Sequence, residues 1–140
     1  MINVLTGINT TASALSAEQT RLEVISQNIA NAQLTRDVDG KPYQRHQVVF
    51  EQILNDQFGR AAGTSGTMVA RVEKDQRPPR MVYDPGHRDA DAQGMVAMPN
   101  VNIHEEMADY LSASRAFEAN LAVVRNARTM ALQTLSIGKR

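Results

Sequence analysis

Between Val4 and Ala32 apolar residues recur in steps of three, four and seven. Leu5, Ile8, Ala12, Leu15, Leu22, Ile25, Ile29 and Ala32 share one helical face, and Ile8, Leu15, Leu22 and Ile29 fall seven apart. No proline interrupts this stretch, and Gly7 is its one glycine. Thr11, Glu18 and Gln19 stand at companion positions, so the stripe is narrow. The C-terminal end mirrors it. Pro99 stops what precedes, and Asn102 with Glu105 three residues later reads as a capping box. From there Ile103, Tyr110, Phe117, Val124 and Ala131 repeat every seven residues, with Met107, Leu121 and Leu135 beside them and Ser114 and Arg128 breaking the companion row. Acidic residues open this segment (Glu105, Glu106, Asp109) and basic ones close it (Arg125, Arg128, Lys139, Arg140), as a helix dipole favours. Gly138 marks its end. About 33 residues at 1.5 Å each make a rod of roughly 50 Å.

The stretch between reads differently. Gly40, Gly59, Gly63, Gly66, Gly86 and Gly94 lie in it, with four of the five prolines. Tyr43–Leu54 reads as a strand around Val48, Val49 and Phe50. Met68, Ala70 and Val72 alternate with polar neighbours as a half-buried strand does. Arg80–Tyr83 and Met95–Met98 make a third and a fourth strand, and Asp84-Pro85-Gly86 suits a tight turn. The pattern predicts a mainly α chain with a small β region. Residues 1–32 and 99–140 form long terminal helices paired as a coiled coil, and residues 33–98 form a short β-rich middle with a mobile loop near 59–67. The pairing seam is expected at Ile8, Leu15, Leu22, Ile25 and Ile29 on one helix and Ile103, Met107, Tyr110, Phe117, Leu121, Val124 and Leu135 on the other. Ala14, Ala17, Ala30, Ala113, Ala116, Ala119 and Ala127 fall off the seam, where small side chains would admit further helices.

Composition narrows the function classes. Fifteen basic and fifteen acidic residues cancel over 140 residues, without the basic excess of a nucleic-acid binder. There is no cysteine, which excludes a disulfide framework, a zinc ribbon and a thiol nucleophile. No apolar run is long enough to span a membrane. Met1-Ile2-Asn3-Val4-Leu5 lacks the basic and apolar parts of a cleavable signal peptide. His46, His87 and His104 are isolated and read as surface residues, not metal ligands. Asp84, Asp89 and Asp91 lack a calcium loop's spacing and closing glutamate. No phosphate-binding glycine loop or nucleophile elbow occurs. The expectation is therefore no catalytic residue, no metal, no cofactor and no small-molecule substrate. Asn28 and Asn31 sit beside the seam, where they serve either as a helix C-terminal cap or as a polar contact between subunits.

Ser13-Ala14-Leu15-Ser16-Ala17 followed by Val24-Ile25-Ser26-Gln27-Asn28-Ile29-Ala30-Asn31-Ala32 resembles the N-terminal signature of bacterial flagellar rod and hook proteins, with its Asn28-Ile29-Ala30-Asn31 core intact. Gly40-Lys41-Pro42-Tyr43-Gln44-Arg45, Val82-Tyr83-Asp84-Pro85-Gly86-His87, Met98-Pro99-Asn100-Val101-Asn102 and Ser112–Asn120 resemble the segments that follow it in the proximal-rod members. Gln33, Leu34, His104 and Arg128 depart from the usual choices. The resemblance covers essentially the whole chain. It implies a structural subunit of the flagellar basal-body rod, polymerising through its terminal helices into the drive shaft that carries torque across the periplasm. It further implies type III export without a cleaved signal, and as partners copies of itself, other rod proteins, the rod-base adaptor and the export gate. The alternatives are another rod or hook subunit, which usually carries a longer middle, and a helical-hairpin adaptor or export chaperone.

Overall fold

A computed structural model of the chain describes residues 2–54 and 65–138. Two long helices frame it: α1, Ile2–Ala30, and α2, Ile103–Ile137. Between them lie β1 (His46–Leu54), β2 (Ser65–Lys74), β3 (Arg80–Tyr83) and β4 (Met95–Met98). The strands form two separate antiparallel hairpins, β1–β2 and β3–β4. In the first, His46 faces Lys74 and Val48 faces Val72, and a bulge between Val49 and Phe50 shifts the register before Leu54 meets Ser65. In the second, Arg80 faces Met98 and Tyr83 faces Met95.

Local chemistry explains the boundaries. Asn102 caps α2 from an extended backbone, its side-chain oxygen accepting from the His104 N–H. Glu105 receives the Asn102 side-chain amide at 3.1 Å, so the expected cap is built with the glutamate on the asparagine side chain. Gly138 closes the helix, its N–H donating to the Thr134 carbonyl. α1 ends at Ala30, and Asn31 lies in the turn just beyond. The β3–β4 connection needs two local devices. Asp84 accepts from the Gly86 N–H across the Pro85 turn. Gly94 takes a positive φ of 77°, where an added Cβ would sit 3.0 Å from the Tyr83 ring. Of the expected 59–67 loop, residues 65–67 belong to β2 and 59–64 lie outside the described residues.

The two helices run antiparallel. Asn28 meets Glu106, Arg21 meets Asp109, and Ile8 lines one cleft with Val124 and Ala127. Hairpin β1–β2 packs on α1, and among the described residues α1 is the one element in contact with α2. Buried apolar residues concentrate where the middle meets the helices: Val24, Ile25, Ala32, Tyr43, Val96 and Val101, with Pro99 also enclosed.

The helix contact is phased differently from the expected seam. On α2 the two fully buried residues are Glu106 and Ala113, seven apart. Phe117, Leu121 and Val124 are half-buried, while Ile103, Met107, Tyr110 and Leu135 are exposed. On α1, Ile25 is buried and Ile8, Leu15, Leu22 and Ile29 are half-buried. Ala17 and Ala113, expected off the seam, are buried within the chain. The physical reason is that a charged residue, Glu106, claims the centre of the contact, and a small residue one heptad further along lets the helix backbones approach. Ile103, Met107 and Tyr110 are rotated outward.

Candidate functional site

The fullest concentration of polar side chains lies where α1, the start of β1 and the first turn of α2 converge. Asn28 is completely buried, and all its hydrogen-bonding capacity is used. Its Nδ2 donates to Glu106 Oε2 at 2.9 Å and to the His46 carbonyl at 2.8 Å. Its Oδ1 accepts from the His46 N–H and from the Tyr43 hydroxyl, both at 2.9 Å. The carboxylate and the carbonyl can only accept, so the amide has one workable orientation.

Glu106, also completely buried, receives Arg45 Nε at Oε1, 2.5 Å away. The same guanidinium reaches Asp109 at 3.5 Å and Asp75 at 3.8 Å. Arg45's backbone N–H donates to Asn100 Oδ1 at 2.7 Å, and Asn100 Nδ2 donates to the Arg77 carbonyl at 2.9 Å. A buried carboxylate demands such company, because an unpaired charge in an apolar interior is strongly unfavourable.

Tyr43 and His46 complete the cluster, the Tyr43 hydroxyl oxygen 2.8 Å from His46 Nδ1. Since the phenol's single proton goes to Asn28, His46 Nδ1 carries the hydrogen that the phenol oxygen accepts. Burial pushes the Tyr43 hydroxyl above its ordinary value of 10.0, with nearby Glu106 adding to the rise, so it stays a donor. Burial also pulls His46 below 6.5, with Lys74 acting the same way and Asp37 opposing.

This arrangement ties α1, the start of β1 and α2 together. Asn28 and Glu106 are sealed from any solute, and their groups satisfy one another. Among the described residues no group of three or more acidic or histidine side chains could hold a metal. A second polar tie, smaller and nearer the surface, joins the turn after α1 to the β3–β4 loop. Thr35 Oγ1 donates to Asp89 at 2.8 Å, and Arg36 lies 3.0 Å from the same carboxylate. These two groups hold the Asp89 carboxyl below its ordinary value of 3.8.

The signature residues divide their work. Asn28 is neither a helix cap nor available to another subunit, because its partners all lie within the chain. Ile29 and Ala30 line an open apolar groove of about 410 Å³ with Ser26, Met107, Tyr110 and Leu111. Asn31 turns back, its side chain donating to the Gln27 carbonyl at 3.0 Å. Sequence reasoning missed Arg45 and Glu106, reading the second as helix-dipole compensation, and placed His46 at the surface. A signal was present: Glu106, Ala113, Asn120 and Ala127 form a row spaced by seven, parallel to the apolar one.

Further exposed apolar residues occur along α2 beyond this groove, some of them on other faces of the helix. Leu111, Val123, Met130, Leu132, Leu135 and Ile137 are each more than half exposed. No helix among the described residues is long and apolar enough to cross a membrane.

Comparison with known proteins places these features in context. Residues 8–36 match the family model described as flagella basal body rod protein, and residues 92–137 match that of the flagellar basal body rod FlgEFG protein C-terminal region. The chain is 44% identical to the flagellar basal-body rod protein FlgC of Escherichia coli O6:H1, covering 91% of this chain and 92% of that one. It is 37% identical to FlgC of Borreliella burgdorferi, covering 97% and 98%, and 38% identical to FlgC of Bacillus subtilis, covering 94% and 96%.

Proposed function

Because the chain belongs to the FlgC family of flagellar basal-body rod proteins, we propose that it joins the proximal rod, of which it is a structural subunit, through the helix faces that its own fold leaves uncovered. Ile103, Met107, Tyr110 and Leu135 of the heptad seam, with Leu111 and Leu132 beside them, then contact helices of neighbouring rod proteins and of further copies. The remaining seam residues hold the chain's own helix pair together.

The observation that carries this reading is the apolar cluster that Met107, Tyr110 and Leu111 expose beside Ile29 and Ala30. Contiguous exposed apolar patches on a folded chain mark interaction sites. Many such helices, interlocked, transmit torque without any single site bearing it. The role is structural and not enzymatic. The reading extends to type III export without a cleaved signal, and to contact with the rod-base adaptor and the export gate at the foot of the shaft.

The test replaces Met107 and Leu111 by Glu in the chromosomal copy. The purified double variant is expected to melt as the parent does, since both positions are exposed, while cells lose motility and their basal bodies lack a rod in electron cryotomograms. Normal swimming would overturn the reading. Glu23→Gln, exposed on α1, serves as the silent control. Intact mass of the protein recovered from basal bodies tests the export part, and loss of an N-terminal segment would refute it.

A further inference from the structure

The helix pair contains two sources of register information, and one of them is degenerate. Ile8, Leu15, Leu22 and Ile29 on α1 and Tyr110, Phe117, Val124 and Ala131 on α2 repeat every seven residues. Sliding α1 by seven, about 10.5 Å along the axis, puts each member of the Ile8–Ile29 row where its heptad neighbour had been. Ala113, buried in the contact, offers no shape to resist the slide. The polar cluster does not repeat. A slide in one direction puts Asn28 opposite Ala113; in the other Asn28 passes Pro99, beyond the start of α2.

The latter slide would bring Arg21 towards Glu106, but the segment before β1 opposes both. His46 binds Asn28 through its backbone N–H and its carbonyl. The preceding residue, Arg45, binds Asn100 through its backbone and Glu106 through its side chain. Two consecutive residues are thus stitched one to each helix, and any slide tears one set of bonds while leaving a buried carboxylate or amide unpaired. A single buried polar residue that fixes helix register in coiled coils works by the same penalty.

We propose that the Asn28–Glu106 pair, clamped by Arg45 and His46, sets the register in which α1 pairs with α2. The apolar seam supplies attraction and the cluster supplies position. The inference concerns the isolated chain and stands apart from the rod reading, because its test needs no assembly.

The chain has no cysteine of its own, so introduced pairs report register cleanly. Thr11→Cys with Val124→Cys joins two residues that line one cleft in the observed register. Thr11→Cys with Ala131→Cys, and Ile8→Cys with Asn120→Cys, report slides of seven residues in either direction. With a short thiol-specific cross-linker on dilute purified protein, only the first pair is expected to join within a single chain. Adding Asn28→Leu and Glu106→Leu should let at least one slid pair join, to about a third of the first pair's yield or more, with helix content retained. A folded double-leucine variant that still joins only the first pair overturns the proposal. If that variant fails to fold, Glu106→Gln decides, keeping the shape and removing the charge. Slid cross-links above the parent's level support the proposal, and the parent's pattern overturns it.

Discussion

The two ends of the helix pair are built on opposite principles. At the end where the β1–β2 hairpin begins, α2 buries Glu106 and Ala113 completely, and every side-chain polar group of Asn28 has a partner. At the far end α2 buries no residue fully. Leu132, Leu135 and Ile137 are 58%, 58% and 75% exposed. Both ends carry the same heptad pattern, so periodicity is not what separates them. The docked end has a third element supplying polar partners. The far end has one helix facing one helix, and a pair of helices buries only a narrow strip of each. Position is specified at the first end and left open to other molecules at the second.

Arg45→Ala should sharpen this contrast most. It strips the buried Glu106 carboxylate of its cation, and breaking such a pair by removing one partner typically destabilises by about 3–5 kcal/mol. Urea denaturation should show a loss of that size, and a loss below about 1 kcal/mol, the scale of an exposed pair, would mean that the cluster is not sealed. Ala113→Leu comes next. Forcing a large side chain into the fully buried Ala113 position should cost about 1–3 kcal/mol, whereas the same change at the exposed Ala122 should be silent in a thermal melt.

Acid should act on the docked end through His46. Its folded-state value lies below 6.5, so the folded chain favours the neutral ring and the unfolded chain takes up protons first. This contribution is whole above pH 6.5 and is lost as the pH falls from there towards the folded value. The melting temperature should therefore drop more steeply between pH 7.5 and pH 5.5 in the parent than in His46→Gln (the comparison range bracketing the ordinary histidine value of about 6.5). Equal slopes would remove His46 from the account. Asp75 and Asp89, both held below 3.8, contribute stability that is lost only at more acid pH, outside this window. The smallest effect belongs to the far end. Leu132→Ser should change monomer stability by less than about 0.5 kcal/mol, as exposed substitutions do, yet impair rod assembly in cells. Unimpaired assembly would mean that the open end is not where neighbours bind.

Much of this architecture was legible in the chain. Both helices, and strands β3 and β4 at Arg80–Tyr83 and Met95–Met98, were readable from local spacing and turn chemistry alone. The family, too, was carried by contiguous motifs. What could not be read was the phase of the helix contact. Ile103, Met107 and Tyr110 satisfy a heptad as well as any buried row, and the parallel row of Glu106, Ala113, Asn120 and Ala127 does not by itself say which of the two turns inward. Likewise the backbone bonds of the half-buried His46 go to Asn28, 18 residues away, which no local pattern foretells.

The division follows the range of the forces involved. Helix and strand periods, caps and tight turns depend on residues within a few positions of each other, so the sequence by itself determined the elements, their order and the apolar stripes they carry. The Asn28–Glu106 bond joins residues 78 apart, and Arg45–Glu106 joins residues 61 apart. Such bonds exist only once α1, the start of β1 and α2 have converged. Burial then turns Glu106 from a solvated charge at a helix start into a group that must be paired, so only the tertiary structure decided which face of α2 turns inward and which apolar residues stay exposed.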